Sequence, residues 1–172
     1  MNDAPFVVGR LSGDHDRASF TCGIEPLDRY FRQRASQDIR RRVANCFVMT
    51  EAATGAVAGF YTLAATNIQL SELPAAITTR LPRYPTVPAA LLGRLAIAVA
   101  FQGRKLGAAM LADAVTRAAL ADIATFAMVV DPKDDDARRF YGRHGFADLP
   151  SPELRMFITM ETALRFFRTE QG

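Results

Sequence analysis

The stretch Gln102-Gly103-Arg104-Lys105-Leu106-Gly107 combines residue types that suit the binding of an anion. It follows an unbroken apolar run, Leu95 to Phe101. It precedes a long pattern of helical period, with Leu106, Met110, Leu111, Val115 and Ala118 recurring on one face. A buried strand, a glycine-containing turn and a helix in direct succession form the arrangement that cradles phosphate. The first turn of a helix presents N–H groups without intrahelical partners and a partial positive charge. Gly103 and Gly107 remove side chains where a ligand would approach the backbone, and Arg104 and Lys105 add formal charge there. A plain strand-to-helix turn has the same outline, so the segment takes its meaning from the rest of the chain.

The second chemical feature is a crowd of arginines: Arg29, Arg32, Arg34, Arg40, Arg41 and Arg42. The planar guanidinium binds two phosphate oxygens at once, which suits phosphate and RNA better than lysine does. A solvated helix face is the plainer reading of the same cluster. Arg94 lies inside an apolar segment, where a charge needs a partner, and a structural ion pair is expected there. Asp134, Asp135 and Asp136 open a helix and read as caps against its dipole. No metal site is expected, because no paired ligands of matching spacing accompany them. His15 stands alone in a polar loop and reads as a surface histidine. Cys22 and Cys46 make neither a disulfide framework nor a zinc site; they read as buried, inert thiols in a reducing cytoplasm.

These residues need elements to hold them. Pro5–Leu11 carries a β-like run, and Ser12–Ser19 is a polar loop. A single helix is predicted over Glu25–Arg42, with Leu27, Tyr30, Phe31, Ala35 and Ile39 on its apolar face. Asn45–Glu51 and Ala56–Leu70 read as strands joined by a Thr54-Gly55 turn. Leu70–Pro88 is irregular, with four prolines that exclude helix interior and central strand. The apolar run and the helix to about Ala121 follow. Asp122–Val130 is a buried strand, Asp134–His144 a helix ended by Gly145, Phe146–Pro152 a turn, Leu154–Met160 a last strand and Thr162–Arg168 a short helix. Two late crossovers imply parallel pairing beside the apolar strand. The expected class is α/β (α+β): one domain over 1–172, with a mixed sheet of six to seven strands and helices on both faces.

Length and composition agree with that class. The chain has 172 residues, 49% of them hydrophobic and 23% charged, which suits one soluble domain. No apolar stretch approaches the length of a membrane span, and the opening MNDAPFVVGR lacks the apolar core of a secretory signal. The net charge of +3 excludes a strongly basic nucleic-acid tail.

The element order, Gln102–Gly107 at a strand exit and Phe140-Tyr141…Gly145-Phe146 near the end together resemble the GNAT family of acetyl-CoA-dependent N-acetyltransferases. The segments LGRLAI at 92–97, LPRYPTVPA at 81–89 and FTCGIEPLDRYFRQRASQD at 20–38 are similar to its toxin branch. Those toxins acetylate the α-amino group of aminoacyl-tRNA and are encoded beside ribbon-helix-helix antitoxins. The family's pyrophosphate motif is Q/R-x-x-G-x-G/A. In the register set by Gln102 and Gly107, Lys105 replaces the first glycine. A second register, Arg104-x-x-Gly107-x-Ala109, fits the pattern but shifts it by two residues; the first is preferred because its flanks align without a gap.

The resemblance implies roles. Backbone N–H groups across Gly103, Arg104, Lys105, Leu106, Gly107 and Ala108 would hold the pyrophosphate of acetyl-CoA, with Gln102 opening the same cofactor-binding segment. Leu95, Ala96 and Ile97 would pair with the pantetheine amides like an added strand, one N–H facing the thioester oxygen. Tyr141 would be the general acid that protonates the departing thiolate. No strong base emerges; Glu25, Asp28 and Glu72 are the carboxylates available. Arg32, Arg40, Arg41, Arg42, Arg80 and Arg83 would meet acceptor-stem phosphates. An antitoxin and a second copy of the chain are the other implied partners. Two readings stay beside this one: acetylation of a small-molecule or protein amine, and a non-catalytic GNAT-fold module that acts as a repressor partner on DNA.

Overall fold

The computed structural model describes residues 5–150 and 153–170, with side chains up to Arg168. The strands are β1 Phe6–Arg10, β2 Asn45–Glu51, β3 Val57–Gln69, β4 Thr86–Ile97, β5 Ala127–Val130, β6 Ala147–Asp148 and β7 Met156–Thr159. The helices are α1 Glu25–Gln33, α2 Ala35–Arg40, α3 Ala75–Thr78, α4 Leu106–Ala119, α5 Asp135–Arg143 and α6 Met160–Glu170. The strands form a mixed sheet in the order β1-β2-β3-β4-β5-β7-β6. β4 and β5 are parallel, Ala89 facing Ala127, whereas β5–β7 and β6–β7 are antiparallel. Parallel pairing is therefore found at the first late crossover and not at the second, because β7 inserts between β5 and β6.

The chain divides into two compact units, 1–64 with 93–114 and 65–92 with 115–172; β3 and β4 each contribute to both. In the first unit Phe31 lies flat on Phe60 at 4.4 Å, and Phe20 meets both rings edge-on. Such ring pairs add specific geometry to apolar burial. In the second unit Ile68, Leu73, Val87, Ala89, Ala127, Val129, Leu149 and Phe157 form a buried cluster. β4 alternates at its start, with Val87 and Ala89 buried and Thr86 and Pro88 exposed, which puts Val87 and Ala89 on one face.

Several expected boundaries move, each for a visible reason. The helix over Glu25–Arg42 breaks at Arg34, whose φ of −119° leaves the helical range. The Tyr30 hydroxyl donates to Asp38 at 2.8 Å across that break. Eight residues of straight helix would rise about 12 Å, so the bond needs the fold in the chain. The central strand is Thr86–Ile97 and not the run from Leu95 to Phe101. Val99 leaves the ladder and donates to Thr21 O, and Val99–Phe101 winds into a 3-10 turn. Pro88 does lie in a central strand, just ahead of the first residue paired with β5. Its carbonyl accepts from Phe126, and without an N–H it cannot extend the ladder. For that reason β5 starts at Ala127 and not at Asp122, and Ile123 is left 82% exposed. The stretch read as the turn Phe146–Pro152 contains β6; residues 151 and 152 lie outside the described residues.

Gly59 on β3 marks the tightest approach in the first unit. A Cβ there would stand 2.7 Å from Ala96 O and 2.8 Å from Met110 Sδ. Gly59→Ala is expected to destabilise the fold by about 1–3 kcal/mol through overpacking. Urea titration should show a lower midpoint with an unchanged slope.

Candidate active site

In the first unit, Leu95, Ala96 and Ile97 are the last residues of β4, Gln102 to Lys105 form the turn, and Leu106, Gly107 and Ala108 begin α4. The turn is set by two left-handed residues, Gly103 at φ 80° and Lys105 at φ 61°. A side chain in that region is strained, and glycine is the usual occupant. The conformation at Lys105 thus supports the register that puts a motif glycine at 105. Among the described residues, no backbone carbonyl accepts from the N–H groups of residues 103–108; the first to be satisfied is that of Ala109, on Lys105 O. The first turn of α4 contains no acid. α5 is the opposite case: Asp134 caps it by accepting from Ala137, and Asp135 and Asp136 fill its first turn. One helix start is neutralised by its own carboxylates, while the other is left open to an external anion.

Gln102 has a use that its place in the motif does not reveal. Its Nε2 donates to Ile97 O and to Cys22 O, both at 3.0 Å. The side chain is a bracket between the end of β4 and the turn at residues 21–24. Asp28 secures that turn from the other side, accepting from Cys22 N at 2.8 Å and Thr21 Oγ1 at 3.0 Å. Burial opposes its charge, but the Cys22 and Thr21 donors and the nearby Arg32 outweigh it and hold the carboxyl below its usual range. Asp28 is a structural anchor and not a free base. Glu25 is exposed and paired with Arg29 at 3.3 Å. Arg104 lies over Phe6 and Phe101, at 5.1 and 5.7 Å from the ring centroids. Lys105 is exposed.

Arg94 has an aromatic partner in place of the expected ion pair. Its guanidinium stacks 3.5 Å from the centre of Tyr30. Delocalised charge on a ring face satisfies the cation without a carboxylate. Burial, and then the bond to Asp38, push the Tyr30 phenol up. Of the arginines proposed for RNA, Arg40, Arg41 and Arg42 are exposed at the end of α2 and have no carboxylate partner among the described residues; Arg32 is half-buried on α1. Cys46 is buried, and burial pushes its thiol up to about 12, which leaves it inert at neutral pH.

In the second unit Tyr141 sits on the buried face of α5, 9% exposed, with the rings of Phe140 and Phe146 edge-on at 5.2 and 5.4 Å. The chain turns back after it through Gly145, at φ 92°. Phe146 N donates to Tyr141 O at 3.1 Å. Burial pushes the phenol up to about 12. Tyr30 and Tyr61 commit their hydroxyls to Asp38 and Asp113, whereas that of Tyr141 donates to no group among the described residues. A protonated, uncommitted phenol is the form a general acid requires. Glu72 is half-buried in the 3-10 turn Leu70–Glu72; Arg80 and Arg83 are exposed between α3 and β4. Among the described residues no group of acidic, histidine or cysteine side chains could hold a metal ion.

The strain at Lys105 gives a test. Lys105→Gly removes about 1–2 kcal/mol of left-handed strain and restores about 0.4–1 kcal/mol of unfolded-chain entropy. The thermal midpoint should hold or rise in Lys105→Gly and fall in the β-branched Lys105→Val, as read by calorimetry.

Comparison with known proteins gives the arrangement a family. The model of the Acetyltransferase (GNAT) family matches residues 14–146. A tRNA-acetylating toxin of Mycobacterium tuberculosis is 35% identical over 156 residues, covering 90% of this chain and 92% of the relative. The probable toxin TacT of Sinorhizobium fredii is 31% identical over 157 residues, covering 86% and 87%. Among solved structures, AtaT complexed with acetyl-methionyl-tRNAfMet superposes with a TM-score of 0.85 at 25% identity, covering 94% of this chain and 99% of that one. With the family model and two near-full-length relatives in agreement, the chain belongs to the GNAT family of acetyltransferases.

Proposed function

We propose that this acetyltransferase is a toxin that transfers the acetyl group of acetyl-CoA to the α-amino group of aminoacyl-tRNA, which blocks translation. The observation that carries the donor half is the row of unpaired N–H groups at residues 103–108, ahead of a helix with no acid in its first turn. The acceptor half is supported by the tRNA-acetylating relative. We read residues 1–172 as one catalytic domain, because the family match draws on both compact units. A ribbon-helix-helix antitoxin, a second copy of the chain and a cytoplasmic site of action complete the proposal. No helix among the described residues is long and apolar enough to cross a membrane.

The chemistry follows from the residues. Backbone N–H groups of Gly103 to Ala108 hold the pyrophosphate. The edge of Leu95, Ala96 and Ile97 pairs with the pantetheine amides, and one N–H there stabilises the oxyanion formed when the amine attacks the thioester. The C–N bond forms, the C–S bond breaks, and Tyr141 delivers its proton to the sulfur. The proton shed by the new ammonium returns to the tyrosinate through solvent. Arg32, Arg40, Arg41, Arg42, Arg80 and Arg83 attract the RNA backbone and carry no sequence information.

Label from acetyl-CoA should appear on a pool of charged tRNA and not on deacylated tRNA, and should fall as salt rises. Label on neither, with acetyl-CoA still bound, would favour a small-molecule or protein amine. Replacing Arg40, Arg41 and Arg42 should flatten the salt dependence by roughly one unit of slope for each phosphate that is no longer neutralised. Tyr141→Phe should lower kcat by about 10²-fold or more with KM for acetyl-CoA little changed. Because the phenol titrates near 12, it stays protonated through pH 10. The rate should therefore rise with pH as the α-amine loses its proton, at a pKa that the adjacent ester brings below about 8, and should show no alkaline limb from Tyr141 below pH about 10.

A further inference from the structure

The chain has 12 phenylalanines, four tyrosines and no tryptophan. Among these aromatic side chains only Tyr84 is exposed, at 64%. Every other ring is buried or half-buried, so this one is a departure from the chain's own practice. It is also fixed in place. Pro82 and Pro85 flank it, and Tyr84 N donates to Pro82 O at 2.8 Å in a three-residue turn. Pro85 O accepts from Leu70 N at 3.0 Å, which pins the far side of the loop. Leu70, Ile77 and Leu81 pack against the core of the second unit. Arg80 and Arg83 are exposed beside it in the sequence and have no carboxylate partner among the described residues.

We infer that Tyr84 is a stacking platform for an unpaired base of the acceptor RNA, with Arg80 and Arg83 on the flanking phosphates. The inference rests on the aminoacyl-tRNA reading and names the part of the substrate that this loop takes. An aromatic face beside cationic side chains is the pattern that binds single-stranded nucleic acid, since every base has a π-face and the phosphates follow the charge. A duplex stem offers no free base to stack on, so the ligand is the single-stranded end that bears the amino acid. Proline-fixed backbone lowers the ordering cost of the contact.

The test compares variants of the full chain on charged tRNA. Tyr84→Ala should raise KM for charged tRNA by about 5- to 150-fold, the range seen when one base–aromatic stack is removed. KM for acetyl-CoA and the salt slope should stay unchanged. Tyr84→Phe should restore the wild-type KM, because the ring and not the hydroxyl makes the contact. Arg80→Ala with Arg83→Ala should instead reduce the salt slope. Tyr84→Trp introduces the chain's only tryptophan, and its fluorescence should be quenched by a short single-stranded oligoribonucleotide ending in CCA and not by a blunt RNA duplex. Unchanged KM in Tyr84→Ala, while the wild type acetylates charged tRNA, overturns the stacking role and leaves the acceptor reading intact. Loss of neutralisation by the antitoxin in that variant, with RNA kinetics untouched, also overturns it, in favour of a protein-binding tyrosine. Failure of the wild type to label charged tRNA overturns the acceptor reading itself.

Discussion

The geometry of the first unit depends on how the chain leaves β4. A strand that continued past Ile97 would use its N–H groups in the ladder and leave no turn for an anion. Val99 donates away to Thr21, and the Gln102 amide is shared between Ile97 O and Cys22 O. Those bonds end the strand at a fixed residue and aim the chain into left-handed Gly103 and Lys105, from which α4 departs without a cap of its own. Asp28 holds the other half of the bracket. A buried carboxylate satisfied by two local donors is rigid, and removing either partner would leave the other unpaired. The open N–H groups at 103–108 are a consequence of this bracket as much as of the glycines.

Much of this is legible in the sequence. The glycine-basic turn, the periodic α4, the aspartate cap of α5 and the glycine after it each have a local cause, and each lies near its expected place. The features that sequence reasoning misses have non-local causes. Arg34 breaks the first helical segment so that Tyr30 can reach Asp38, a bond invisible to a periodic pattern. The start of β5 is set by Pro88, on a different strand. A charge in an apolar run needs a partner, which points to a carboxylate for Arg94; that the partner is the face of Tyr30 depends on packing. The motif position of Gln102 points to the ligand, whereas its side chain is consumed within the protein.

Charge is distributed unevenly between the units. The first carries eleven basic and eight acidic residues, the second ten of each, so the whole excess of +3 falls in the first. Several first-unit cations are committed: Arg94 to Tyr30, Arg104 to Phe6 and Phe101, Arg29 to Glu25. Arg40, Arg41 and Arg42 remain as a compact exposed run, and a short run of free cations attracts a polyanion more strongly than the modest net charge suggests.

The acidic residues make the complementary argument. Asp28 is locked in the bracket, Asp38 accepts from Tyr30, Glu25 is paired with Arg29 and Asp113 accepts from Tyr61. The first unit thus spends its nearby carboxylates on structure. An enzyme for lysine amines, which are almost wholly protonated at neutral pH, would need one of them as a base. An α-amine titrates about two units lower, and an adjacent ester lowers it further by withdrawing electrons. A useful fraction is already neutral in solution. The commitment of these carboxylates, which would be a defect in an acetyltransferase for lysine, is compatible with one for an aminoacyl ester. In the reaction proposed above, Tyr141 acts as the acid with no carboxylate of the first unit beside it.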